Sequence, residues 1–202
     1  DISATGVGIV EADEILQSEN VRPGDVIVGM ASSGLHSNGY SLARHVLLEL
    51  ARLPLEGHVE EFGRSLGEEL LEPTRIYALD CLSLIAETDV RVFSHVTGGG
   101  LAENLARVMP RGLVARLVRG RWQVPAVFST IAHHGRVEQL EMERTFNMGV
   151  GMVAVLPAED VDRAQAVLTA RHVDNWVIGQ VEKSGDDADA PRVILEGSHA
   201  RF

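Results

Sequence analysis

The stretch DVIVGMASSGLHSNGYSLAR, residues 25–44, decides the fold. Its first seven residues, DVIVGMA, are an unbroken apolar run with β-branched content, the pattern of a buried strand. The next ten, SSGLHSNGYS at 32–41, hold four serines, an asparagine, a histidine and two glycines. Leu42, Val46 and Leu50 then recur every fourth residue, which predicts a helix over 39–53. Strand, polar turn and helix in that order describe one unit of a domain that layers helices on a sheet.

The same alternation continues outward. Strands are predicted at 5–11, 90–96, 113–118, 149–156, 175–181 and 192–195. Helices are predicted at 73–87, opened by Pro73 and inward at Ala78, Cys81, Leu82 and Ile85, then at 101–109, 124–134 and 158–171. The biased stretch SGDDADAPR, residues 184–192, reads as a solvated hairpin loop. The fold class is therefore α/β or α+β, a layered sheet covered by helices.

Composition narrows the partners. The chain has 202 residues, 45% hydrophobic and 23% charged, enough to bury a core without disulfides or metals. One cysteine, Cys81, cannot close an internal bridge, which favours a reducing compartment. A net charge of −11 argues against nucleic acid or an anionic membrane as partner. No basic region followed by an apolar run opens the chain, and no apolar run approaches the roughly 20 residues that span a bilayer. The expected location is cytoplasmic.

Three loops carry polar chemistry. In 32–41, Ser32, Ser33, Ser37 and Asn38 offer hydroxyls and an amide, and Gly34 and Gly39 permit sharp turns. Ser37 or Asn38 would cap the following helix. His36 is the candidate catalytic group, placed to donate to a phosphate or to move a proton near neutral pH. A capped turn with a surface histidine remains open as the plainer reading. In HVTGGGLAEN, residues 95–104, Thr97 precedes Gly98, Gly99 and Gly100, whose amides can approach a ligand closely. The motif lacks a P-loop lysine and the spacing of a dinucleotide loop, and a tight strand-to-helix turn would also explain it. In EMERTFNMGVGMV, residues 141–153, Arg144 is suited to clamp a phosphate and Asn147 to bind one, while an ordinary salt bridge would also occupy Arg144. Met142, Phe146, Met148 and Met152 read as core. Arg75 stands at a predicted helix start, where a cation is unfavourable, and local pairing with Glu69 or Glu72 would account for it. His133 and His134 suit a helix C-terminus. No HExxH, CxxC or paired-histidine spacing suggests a metal site.

Taken together, GDVIVGMASSGLHSNGYSLAR, LEPTRIY, HVTGGGLAENLARVMP and EMERTFNMGVGMV, in this order, resemble the C-terminal half of the phosphoribosylformylglycinamidine cyclo-ligase (aminoimidazole ribonucleotide, or AIR, synthetase) family. The resemblance runs from VGIVEADEIL to VIGQVE. It implies that residues 1–202 form an AIR synthetase-type C-terminal domain, partly ferredoxin-like in topology, without the N-terminal ATP-binding domain. It implies ATP and Mg2+ as cofactors bound mainly by that other domain, and formylglycinamidine ribonucleotide as substrate in a cleft between the two. The implied reaction is dehydrative ring closure in purine synthesis, by a homodimer. The chain alone is then expected to be inactive. Two alternatives share the pattern: a sister ATP-dependent enzyme (formylglycinamide ribonucleotide amidotransferase, selenophosphate synthetase, thiamine monophosphate kinase or hydrogenase-maturation type), or a ribonucleotide-binding module without chemistry.

Overall fold

The computed structural model describes residues 3–185 and 192–199. Strand β1, Val26–Ala31, is followed by α1, Tyr40–Arg44, which widens into a π-helical turn at His45–Leu50. A small hairpin, β2 (His58–Val59) and β3 (Arg64–Ser65), leads into α2, Leu66–Leu70. Next come α3 (Ala78–Glu87), β4 (Val92–His95), α4 (Gly100–Val108) and β5 (Leu113–Val118). The chain continues through α5 (Ala126–Gly135), α6 (Gln139–Thr145), β6 (Val150–Leu156), α7 (Val161–Ala170), β7 (Asn175–Lys183) and β8 (Val193–Glu196).

Among the described residues six strands form one sheet in the order β4-β6-β1-β7-β5-β8. β1 lies antiparallel to both β6 and β7, β6 antiparallel to β4, and only β5 and β8 pair in parallel. The quartet β4-β6-β1-β7, with α3 before β4 and α7 between β6 and β7, has the ferredoxin-like order; β5 and β8 extend it. The mostly antiparallel pairing places the domain in the α+β branch of the expected class. β1 reads as a continuous apolar run because it is a central strand with both faces covered. Ile27 joins Val153, Val155, Ile178 and the α4 residues Leu101 and Leu105 on one face. Val28 and Met30 join Leu84 of α3 and Ala164 and Leu168 of α7 on the other. A third cluster, Leu35, Leu47, Leu66, Phe128, Met142 and Phe146, packs α1, α2, α5 and α6 together. Each fully buried Leu or Phe there contributes about 1.5–3 kcal/mol.

Several expectations need correction. Residues 5–11 form no strand: Val7 and Ile9 are almost fully exposed, and no described strand takes their hydrogen bonds. The helix predicted over 39–53 turns π-helical after Arg44, which rotates its faces, so Val46 is buried but Leu50 is exposed. The helix predicted over 73–87 begins only at Ala78, because Pro73–Tyr77 is bound to the loop after β1. Its inward face is Tyr77, Cys81 and Leu84 together with the Asp80–Arg171 ion pair, while Ala78, Leu82 and Ile85 are exposed. The hairpin, α2 and α6 were not expected. A reciprocal capping box, Ser65 with Glu68, starts α2. The loop predicted at 184–192 falls mostly outside the described residues. Met142, Phe146 and Met148 are buried and Met152 is partly so, as expected.

Phe146 is fully buried against Phe128, ring centroids 5.6 Å apart. Phe146→Ala should cost about 3–5 kcal/mol in denaturant unfolding, whereas exposed Leu82→Ala should cost under about 0.5 kcal/mol.

Candidate functional site

The topology delivers the three loops to one place. β1 and β4 both run antiparallel to β6, so both end at the edge of the sheet where β6 begins: Ala31 stands opposite Val150 and His95 opposite Met152. The loops leaving β1 and β4 and the turn entering β6 therefore share one end of the sheet. A Cβ added at Gly98 would lie 3.6 Å from Asn38 Oδ1, so residues 32–41 and 97–100 lie side by side. The turn into β6 is tied in by Asn147, whose Nδ2 donates to Gly34 O at 2.8 Å and whose Oδ1 accepts from Gly149 N–H at 2.8 Å. Ser32 N–H donates to Gly149 O at 2.9 Å.

The segment before α3 joins the cluster. Ser33 Oγ donates to Pro73 O at 2.7 Å, and Ser37 Oγ lies 3.1 Å from Thr74 Oγ1. Tyr77 Oη donates to Ala31 O at 2.7 Å. Sequence reasoning missed Thr74, Tyr77 and His95 as members of this cluster. One signal was available: a glycine inside an apolar strand marks a close approach. A Cβ on Gly151 of β6 would overlap Tyr77 Oη and stand 2.6 Å from His36 Cε1.

His36 is not a surface histidine: it is 5% exposed, at a left-handed φ of 58°. Its Nε2 accepts the Ser33 N–H at 3.1 Å, which leaves the proton on Nδ1. Tyr77 stacks a tilted ring 6.1 Å from the imidazole, with His95 beyond it. Burial, with the neighbouring His95 and Arg75 charges, pulls the His36 pKa down to about 4. Burial pushes the Tyr77 hydroxyl well above its ordinary value. At neutral pH both groups are uncharged hydrogen-bonding groups. Three buried polar atoms here have no hydrogen-bond partner among the described residues: Ser32 Oγ, His36 Nδ1 and Arg75 Nη1.

The glycine loop divides in two. Gly99 and Gly100 both take positive φ, 94° and 69°, and a Cβ on Gly100 would collide with the Glu143 carbonyl, so packing alone requires them. Gly98 faces Asn38 instead. Thr97 donates its hydroxyl to Asn104 Oδ1 at 3.1 Å, and the Asn104 amide returns to Gly100 O at 2.7 Å, which stiffens the turn. Neither Ser37 nor Asn38 caps α1; Gly39 occupies that position with no side-chain cap, because Phe146 fills the space beside it. Arg144 is exposed in the last turn of α6 and has no ion pair among the described residues. Its neighbour Glu143 is bound by Arg119 through two hydrogen bonds of 2.6 and 2.9 Å. Burial pushes the Glu143 pKa up, but hydrogen bonds from His199, Arg119 and Gln139 outweigh it and hold it at about 2. Beside the loops, a groove of about 510 Å3 runs from Ser32 and Gly149 to Ser129, Gln123, Asp174 and Trp176. No helix is long and apolar enough to cross a membrane among the described residues.

The fold and loop cluster define an AIR synthetase-like class. Residues 22–189 match the family described as AIR synthase related protein, C-terminal domain, and the chain belongs to that family. A Streptomyces fradiae chain provisionally named a phosphoribosylformylglycinamidine cyclo-ligase is 54% identical over 181 residues, covering 89% of this chain and all of that relative. A phosphoribosylformylglycinamidine cyclo-ligase of Anaeromyxobacter sp. (strain Fw109-5) is 49% identical over 189 residues, covering 93% of this chain and 54% of its own length. This chain thus spans about half the length of that relative. Among solved structures, the thiamine-monophosphate kinase of Stenotrophomonas maltophilia K279a superposes over 94% of this chain and 55% of its own, with a TM-score of 0.61 and 17% identity. AaThiL, complexed with AMPPCP and TMP, covers 90% of this chain and 50% of its own, with a TM-score of 0.51 and 17% identity. These two likenesses are of fold.

The depressed His36 pKa has a stability consequence. A folded pKa of about 4 against an unfolded value near 6.5 means that the unfolded chain takes up the proton first as pH falls. His36 therefore penalises the folded state progressively from about pH 6.5 down to about pH 4. Glu143 acts in a lower window, losing its contribution from about pH 4.5 down to about pH 2. Between pH 6.5 and 4.5 the wild type should lose about 2 kcal/mol more than His36→Asn in denaturant unfolding. Parallel curves for the two proteins would remove burial of a neutral His36.

Proposed function

We propose that this chain is the substrate-side half of an ATP-dependent cyclo-ligase that closes formylglycinamidine ribonucleotide to aminoimidazole ribonucleotide. The observation that carries this reading is the meeting of three polar loops at one sheet end, with unpartnered polar atoms inside, in a chain 54% identical to a protein named for that activity. In the reaction ATP transfers a phosphoryl group to the formyl oxygen. The amidine nitrogen then attacks the activated carbon, the C–O bond breaks, and phosphate leaves with that oxygen as the imidazole ring forms. Such chemistry depends on positioning and on neutralising phosphoryl charge more than on a protein nucleophile.

The residues divide the work accordingly. Ser32, Ser33, Gly34, Ser37, Asn38, Thr97 and the amides of Gly98 and Gly99 form a neutral, hydrogen-bonding wall for a phosphate-bearing substrate, while Gly100, whose N–H is donated to Thr97 O, shapes the turn behind it. Asn147 holds that wall together. His36, neutral at pH 7, acts through its Nδ1–H as a fixed donor rather than as a proton shuttle. Arg144, exposed and without an ion pair among the described residues, is available to a partner that closes over the loops.

ATP and Mg2+ are assigned to the part of the relatives outside this match. The ATP-analogue complex of AaThiL, a protein of the same fold and nearly twice the matched length, supports nucleotide binding in the class. Among the described residues no three or more His, Cys, Asp or Glu cluster as a metal site would. A cytoplasmic homodimer of the longer protein is part of the same proposal.

The purified chain should form no aminoimidazole ribonucleotide from ATP and formylglycinamidine ribonucleotide, while the longer protein carrying both halves should. Turnover by the chain alone would overturn the half-site account; inactivity of the longer protein would overturn the cyclo-ligase reading. In the longer protein, His36→Asn should lower kcat/KM about ten- to a hundredfold in a variant still folded at the assay temperature, the loss of one hydrogen bond to a charged group. His134→Asn, at the end of α5, should leave the rate unchanged.

A further inference from the structure

The reading above gives no role to Arg75, a cation beside the loop cluster. Arg75 lies in the non-helical segment that Ser33 and Ser37 bind to the loop after β1. Its simplest structural role, pairing with Glu69 or Glu72, is not realised. Arg64 takes both carboxylates, Glu69 at 2.7 Å and Glu72 more closely still. Glu69 is also the acidic group beside Gly34, where a Cβ would lie 3.8 Å from its Oε1, and it too is committed to Arg64. Asp80, three residues beyond Tyr77, is bound by Arg171 at 2.6 Å. Arg75 has no carboxylate partner among the described residues. Among the described residues its Nη2 makes a long 3.5 Å approach to His172 O, and its buried Nη1 has no hydrogen-bond partner.

A half-buried guanidinium held without a counter-ion is unfavourable unless an anion completes it. The adjoining loop supplies matching donors. His36 is 5% exposed, and among the described residues neither its Nδ1–H nor the buried Ser32 Oγ has a hydrogen-bond partner. Two neutral donors and a planar cation, with Glu69, Glu72 and Asp80 all bound by other arginines, suit a tetrahedral oxyanion rather than an apolar group, while Glu61 and Asp174 line the groove on which Ser32 opens. We propose that Arg75, the His36 Nδ1–H and the Ser32 hydroxyl together bind a phosphate group, with Arg75 supplying its counter-charge. The proposal rests on the loop cluster being the substrate site, and it adds the cation which that site otherwise lacks. Two sources share this chemistry: the phosphate ester of a ribonucleotide and the phosphoryl group of a nucleoside triphosphate.

The test is a titration of the 202-residue chain with inorganic phosphate, ribose 5-phosphate and tripolyphosphate, read by calorimetry and by the His36 imidazole NMR signals. Saturable binding that shifts those signals is expected. Arg75→Ala should weaken it about tenfold or more, the loss of a charge-assisted contact. Arg75→Lys, which keeps charge but not the planar fork, should fall between. Arg163→Ala, an exposed cation on α7, should bind as the wild type does. Tighter binding of ribose 5-phosphate supports the ester as ligand, and tighter binding of tripolyphosphate supports the phosphoryl group. If Arg75→Ala does not fold, Arg75→Gln and Arg75→Lys carry the comparison. No saturable binding by the wild type, or equal affinity of the wild type and a folded Arg75 variant, overturns the proposal. Binding by this chain together with a longer protein that does not cyclise would discard the catalytic reading and keep the site. Turnover with an unaffected Arg75→Ala would discard the site alone.

Discussion

β6 lies hydrogen-bonded between β1 and β4, antiparallel to both, and the site depends on that pairing. The arrangement makes two strands far apart in sequence finish at the same end of the sheet, next to the turn that starts β6. Register matters as much as direction. Slipping β1 against β6 by one residue would turn Val28 and Met30 out of the α3–α7 face and move Ser32 away from Gly149. The apolar residues that fix the register, Ile27, Val28, Met30, Val153, Val155 and Leu156, therefore also position the polar loops.

Close approach of backbone to side chain does the rest. Gly151 leaves room in β6 for the Tyr77 hydroxyl and the His36 ring, and Gly100 leaves room at the start of α4 for the Glu143 carbonyl. Glu143 is in turn held by Arg119, so its backbone carbonyl abuts α4 while its carboxylate ties α6 to the chain after β5. The loops are thus set by packing on every side. On the proposed reading, such preorganisation would let the donors meet phosphoryl charge without reorganising.

Much of this was legible in the sequence where one force dominates. Apolar runs announced β1 and β6, and glycine density announced the loop before α4. Four motifs in order announced the family. The errors occur where tertiary contacts override local pattern. Pro73 reads as a helix start, yet hydrogen bonds from Ser33 and Ser37 hold residues 73–77 out of the helix. Leu82 and Ile85 read as an inward face, yet the Asp80–Arg171 pair and Tyr77 take it. Residues 5–11 alternate like a strand, but a strand requires a neighbour. Arg75 was the subtlest case: its charge was visible, but only the geometry shows that Arg64 takes both of its expected partners.

The central claim is that the loops at 32–41 and 97–100, the segment at 73–77 and the turn at 147–149 act as one phosphate-binding wall. The most direct measurement is a crystal structure of the longer protein with formylglycinamidine ribonucleotide and a non-hydrolysable ATP analogue. The account predicts a phosphate oxygen within hydrogen-bonding distance of His36 Nδ1 and of the Arg75 guanidinium, with the substrate against Gly98 and Asn38. Both ligands bound elsewhere, with His36 Nδ1 and Arg75 still unpartnered, would contradict it.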